Sequence, residues 1–197
     1  MMTYVLAAAA LYFLYRLWPR ESTTAAIAKP SRQVEQIYGC AGVFDRATGK
    51  DCVMLDIDGV LHPGFSGSFE FAPAFESLMR QWPHVDIVLS SDWRLGGDLD
   101  YLRSYFADDI AQRIVGGTYV EEGGSRHNEI VRTCSSHGIT RWIALDDTAD
   151  LFPPECDYLV LLDRHRGLSG SGYEAAAKAF VEAFGPPQRG ERYIPSV

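Results

Sequence analysis

Short apolar runs alternate along the chain with stretches in which apolar residues recur every three to four positions. "CVMLDI" (52–57), "VDIVLSS" (85–91), "IVGGTYV" (114–120), "TRWIALDD" (140–147) and "DYLVLLD" (157–163) read as strands. "FAPAFESLMRQW" (71–82) sets Phe71, Phe75, Leu78, Met79 and Trp82 on one helical face. "DLDYLRSYFADDIAQRI" (98–114) reads as mostly helix. "SRHNEIVRTCSSHG" (125–138) opens on Ser125 as an N-cap and closes on Gly138 as a C-cap. "GYEAAAKAFVEAFG" (172–185) makes a closing helix. Apolar strands alternating with helices predict an α/β fold with a mainly parallel sheet covered by helices on both faces. Ligands of such sheets bind beyond the carboxyl ends of the strands, so the polar residues at those ends carry the functional question.

The N-terminus departs from this pattern. "TYVLAAAALYFLYRLW" is apolar from Tyr4 to Trp18 except for Arg16. It is shorter than the ~20 residues that span a bilayer comfortably. Three readings stand. A short membrane anchor would use Arg16, Arg20, Lys29 and Arg32 to keep the following domain cytoplasmic. A signal peptide cut after Ala28 would lack its positive n-region. A docked or stray apolar helix is the third. Residues 1–20 are therefore an apolar segment, 21–37 a polar linker, and 38–197 one domain.

The chain has 197 residues, enough for one domain with its own core. Its net charge of −8 argues against an extensive nucleic-acid surface, which needs Lys and Arg. A single phosphorylated nucleotide end entering a local pocket remains compatible with it. The four cysteines show no C-x-x-C spacing and no histidine at a zinc-like offset, and read as reduced thiols.

Polar residues gather at the strand ends. The first strand ends in Asp56 and Asp58, the second in Ser90, Ser91 and Asp92, and the fourth in Asp146 and Asp147, with Arg126 at a helix start. Asp56-x-Asp58-Gly59 alone could be an acidic turn. Together, the carboxylates would repel one another along one rim, and a divalent cation relieves that conflict. Oxygen ligands beside a phosphate suit Mg²⁺.

"DIDGVL" resembles the first signature, D-x-D-G-[VT]-[LV], of the haloacid dehalogenase-like phosphatases. The other three signatures follow in order at Ser90, Arg126, and Asp146-Asp147, and the resemblance spans Asp51 to Gly185. "VLSSDWR" and "RHRGLSGSG" are similar to a small-cap subgroup, some members of which sit beside nucleic-acid repair enzymes. The resemblance implies a Rossmann-like three-layer α/β/α sandwich with a minimal cap. It also implies a Mg²⁺-dependent phosphomonoester hydrolase.

The same resemblance implies roles. Asp56 is the nucleophile, and Asp58 the acid that protonates the leaving oxygen and then the base that activates water. Ser90 donates to a phosphoryl oxygen, with Ser91 the alternative in register. Arg126, where relatives commonly carry Lys, neutralises charge, with Lys50 a rival cation. Mg²⁺ is held by Asp56, Asp146 and the main-chain carbonyl of Asp58, and by Asp147 directly or through water. Gly59, Ser91 and Arg94 lie on the substrate side, although Arg94 could instead pair with Asp92. An acid at Asp58 favours phosphate chemistry, because carbon–halogen cleaving relatives lack it and ion pumps carry Thr.

The dozen residues after Gly59 leave no room for a globular cap, and Gly64, Ser66 and Gly67 suggest a flap. His62 reads as a loop residue, Trp93 as packing, and Arg164, His165 and Arg166 as a solvated basic cluster. The expected substrate is a phosphorylated small molecule or a nucleic-acid end. A non-catalytic phosphate- or partner-binding module and a phosphotransferase are the alternatives.

Overall fold

A computed structural model describes residues 39–188. In chain order the strands are β1 (Asp51–Leu55), β2 (Asp86–Leu89), β3 (Ile114–Gly117), β4 (Arg141–Asp146) and β5 (Leu159–Leu161). The helices are α1 (Ala72–Gln81), α2 (Leu99–Arg103), α3 (Asp108–Ala111), α4 (Arg126–His137) and α5 (Ser171–Phe184). The strands form one sheet in the order β3-β2-β1-β4-β5, and every neighbouring pair is parallel. The two crossovers that flank β1 on either side give the doubly wound, Rossmann-like arrangement expected of the α/β pattern.

Strand alternation sorts the core into two layers. Val53, Leu55, Ile87, Leu89, Ile143 and Leu145 pack with residues of α1, α2 and α5, including Phe75, Leu78, Leu102 and Phe180. Cys52, Met54, Val88 and Ala144 face the other way, onto Ile130 and Cys134 of α4. The sheet is thus the middle of three layers, with the thicker helical layer on the first face. Burial of both strand faces explains why the sequence reads as continuous apolar runs.

Local signals behave as their chemistry requires. Ser125 caps α4 by accepting from the Asn128 amide at 3.3 Å, and Gly138 ends it with φ of +69°. The helix expected over 98–114 is instead two short helices. The Ser104 hydroxyl donates to the Tyr101 carbonyl at 2.6 Å and closes α2. Asp108 and Asp109 then start α3, where acidic residues suit a helix N-terminus.

Only turns join β1 to α1, and only short helices lie between β2 and β3, so the cap is minimal. All four cysteines are free. The apolar segment 4–18 and the linker 21–37 lie outside the described residues. Among the described residues no helix is long and apolar enough to cross a membrane.

Candidate active site

Register places the site. Leu55 at the end of central β1 pairs with Leu89 of β2 on one side and Leu145 of β4 on the other. The next residues, Asp56, Ser90 and Asp146, therefore leave the sheet level with one another. The amide of Asp56 donates to the Leu145 carbonyl at 3.1 Å, and that of Ser90 to Leu55 at 2.9 Å, which carries the ladder one step beyond these paired residues.

Arg126, the first residue of α4, supplies the cation. Its Nη1 lies 2.9 Å from Asp56 Oδ1 and 2.9 Å from Asp146 Oδ2, while Nη2 lies 3.3 Å from Asp92 Oδ1. Asp56, Asp146 and Arg126 are all buried. Burial pushes the Asp56 carboxyl above its ordinary value. Arg126, the Ile57 amide and the Ser91 hydroxyl pull it back down, and Asp147 raises it further. Burial and the nearby Asp56 charge push Asp146 up to about 7, against the attraction of Arg126. For Arg126 burial works against the charged form, but Asp56, Asp146 and Asp92 outweigh it and hold the guanidinium protonated.

One oxygen from each of Asp56, Asp146 and Asp147 lies within 4.8 Å of the others. Three hard oxygen donors converge here, with Arg126 on Asp56 and Asp146 and Arg164 on Asp147, so the cluster holds more carboxylates than cations. Both the donor chemistry and the charge fit a divalent metal. Asp147 is fixed from two sides: Oδ1 accepts from the Thr148 hydroxyl at 2.7 Å, and Oδ2 from Arg164 Nε at 2.7 Å. Gly59 lies directly against it. A methyl group at residue 59 would come 2.2 Å from Asp147 Oδ2, and the residue has φ of +71°. Glycine is required there both for the left-handed turn and for the carboxylate next to it.

The remaining sequence-derived residues separate into those at the rim and those away from it. Asp58, partly exposed, has Oδ1 2.8 Å from His62 Nε2 and accepts on Oδ2 from Trp93 Nε1 at 3.0 Å. The Ser91 hydroxyl reaches Asp56 and also accepts from the Trp93 amide at 3.4 Å. Ser90 Oγ is buried with no hydrogen-bond partner among the described residues. Arg94 is not at the rim. It is 1 % exposed, and its guanidinium donates to the carbonyls of Thr118, Ser90 and Ser91 and to Glu129 Oε2 at 2.6 Å. It braces the ends of β2 and β3 against α4, with no donor turned to a substrate. Lys50 is exposed and precedes β1 at the opposite end of the strand, so it is no rival to Arg126.

His62, Trp93 and Arg164 contact site carboxylates, although the sequence pattern alone does not assign them to the site. The signal for His62 is its place four residues after Asp58, which has meaning only once the loop closes on itself. That closure rests on hydrogen bonds from the Val60 and Leu61 amides to the Ile57 carbonyl and from the Gly59 amide to the Gly64 carbonyl.

A parallel doubly wound sheet with an acidic rim at β1 and β4, a cation from the α4 start and no inserted cap defines a haloacid dehalogenase-type domain. Residues 52–171 match the family described as the HAD domain in Swiss Army Knife RNA repair proteins, and the chain belongs to that family. The domain is of the phosphatase-type hydrolase class. Searches of curated proteins and of solved structures return no match to the chain.

Proposed function

We propose that the chain is a Mg²⁺-dependent phosphomonoester hydrolase that works through an aspartyl-phosphate on Asp56 and acts on phosphorylated nucleic-acid ends. The observation that carries this reading is the Asp56 carboxylate. It is buried at the end of the central strand, paired with Arg126 at 2.9 Å, and clustered with Asp146 and Asp147.

An Asp56 carboxylate oxygen attacks phosphorus as the bond to the leaving oxygen breaks. The leaving oxygen takes the electron pair and a proton from Asp58, and departs as an alcohol. Asp58, now a carboxylate, accepts a proton from water, whose oxygen attacks phosphorus and releases inorganic phosphate and the free Asp56 carboxylate. Arg126 is placed to balance the charge on the phosphoryl oxygens. The unpartnered Ser90 hydroxyl supports a donor role to one of them. Asp56, Asp146, Asp147 and the Asp58 carbonyl would hold Mg²⁺, which when bound neutralises part of the charge that the carboxylates and the phosphoryl group bring together.

Three things favour a nucleic-acid end as substrate. The family is described from RNA repair proteins. Without an inserted cap the rim stays open to a long substrate. At that rim Phe65 is 72 % exposed, with the Arg164 guanidinium 5.3 Å from its ring, which suits stacking of a base. The test is phosphate release from RNA oligonucleotides ending in a 5′- or a 3′-phosphate, with and without Mg²⁺, beside Asp56→Asn. Release that needs both Mg²⁺ and Asp56 is expected. Release by Asp56→Asn at the wild-type rate would refute the mechanism.

A further inference from the structure

His62 is fully buried, yet it belongs to the tight loop that follows the acidic motif. Its Nδ1 is buried without a hydrogen-bond partner among the described residues, while Nε2 lies 2.8 Å from Asp58 Oδ1. A neutral imidazole carries one N–H. Nε2 faces a carboxylate oxygen, which accepts, so the hydrogen belongs on Nε2 and is donated to Asp58. The second carboxylate oxygen of Asp58 accepts from the Trp93 indole at 3.0 Å.

Both donors are held in an aromatic wall. The Phe69 ring lies edge-on to His62 at 5.2 Å and to Trp93 at 5.4 Å, and stacks on Tyr105 at 4.4 Å. Phe69 adopts φ of +54°, a left-handed conformation that a bulky side chain rarely takes. An orphaned ring nitrogen and a strained backbone are both unfavourable, so the packing and the Asp58 hydrogen bond around them must offset both costs.

We propose that His62 and Trp93 are positioning residues that clamp the Asp58 carboxylate for proton transfer. Each donor occupies one lone-pair site on one oxygen. The remaining sites stay free to carry the proton exchanged with the leaving oxygen and with water. An aspartate after a strand end would otherwise rotate about its two side-chain torsions. The clamp removes that rotation, and orientation of this kind is a large part of what a general acid contributes. The proposal rests on the hydrolase reading above and adds two residues to it.

Leaving-group dependence tests it. The kcat/KM of the first chemical step reports transfer to Asp56 and is blind to the later hydrolysis. Its value for p-nitrophenyl phosphate depends little on an acid, because the phenolate leaves unaided, whereas a ribonucleoside 5′-phosphate loses an alkoxide that must be protonated. With the full chain, Trp93→Phe and His62→Leu are expected to lower kcat/KM for the nucleotide by about 10- to 100-fold. The aryl phosphate should change by less than about threefold, because the nucleophile is untouched. His62→Gln, which restores an N–H donor at similar reach, should recover most of the nucleotide activity. If His62→Leu does not fold, Trp93→Phe alone decides, since it deletes one N–H from a partly exposed ring. Equal loss on both substrates, or no loss in folded variants, overturns the clamp and leaves the hydrolase reading standing. Failure of the wild-type chain to release phosphate from either substrate in an Asp56-dependent way overturns both.

Discussion

Substituting Gly59 by alanine separates backbone strain from disruption of the acidic cluster. At φ of +71°, a β-carbon carries a left-handed penalty of about 1–2 kcal/mol. The same β-carbon would sit 2.2 Å from Asp147 Oδ2 and 2.5 Å from its Cγ, where real contacts stay beyond 3.0 Å, so the carboxylate must retreat by about 0.8 Å. Arg164 and Thr148, each at 2.7 Å, tether its two oxygens. Metal–ligand distances tolerate only about 0.2 Å, so on the proposed reading the shift would take Asp147 out of the metal site. The expected result is a Mg²⁺ affinity at least about tenfold weaker by calorimetric titration. A fall in Tm of about 2–8 °C should accompany it. Gly64→Ala is the control. Its φ is +47° and a methyl group there would meet nothing within 4 Å, so it should lose comparable stability and no metal affinity. A folded Gly59→Ala protein with wild-type Mg²⁺ affinity would refute the coupling of Gly59 to the metal site.

Further outcomes follow from the same geometry. Arg94→Met leaves Glu129 buried without its 2.6 Å partner, so urea unfolding should show a loss of about 3–5 kcal/mol, partly restored by Glu129→Gln, with KM for the phosphate substrate unchanged. Asp146 titrates at about 7 in the metal-free fold, above its ordinary 3.8, so the folded state holds a proton that the unfolded chain releases. In EDTA, stability should therefore fall as pH rises from about 4 to about 7, and that slope should be shallower in Asp146→Asn, where only the raised Asp56 carboxyl still contributes to it. Over the same window Mg²⁺ affinity should rise, because the metal needs the carboxylate. Phe65→Ala should raise KM for a phosphate-ended oligonucleotide about tenfold, with little change for glycerol phosphate, which has no ring to stack.

Much of the fold is legible in the residue pattern. The five strands lie where continuous apolar runs place them, because both faces of a parallel sheet are buried. The rim follows from that, since Asp56, Ser90 and Asp146 are the first polar residues after runs that end in register. What the pattern hides depends on side-chain direction and loop closure. Arg94 is two residues from the rim in sequence, but the 3₁₀ turn Asp92–Leu95 rotates it inward to Glu129. His62 becomes a partner of Asp58 only because the loop folds back after Gly59. The helix break at Ser104 depends on one hydroxyl hydrogen bond that periodicity does not register.

Trapping the covalent intermediate tests the central claim most directly. Asp58→Asn removes the base that activates water, so turnover of p-nitrophenyl phosphate with Mg²⁺ should accumulate phosphorylated protein. Borohydride reduces an aspartyl-phosphate to homoserine, which peptide mass spectrometry assigns to a position. The expected product is homoserine at residue 56 and nowhere else, absent when Asp56→Asn is added. Full turnover with residue 56 unmodified, or homoserine at another aspartate, would contradict the assignment of Asp56 as the nucleophile.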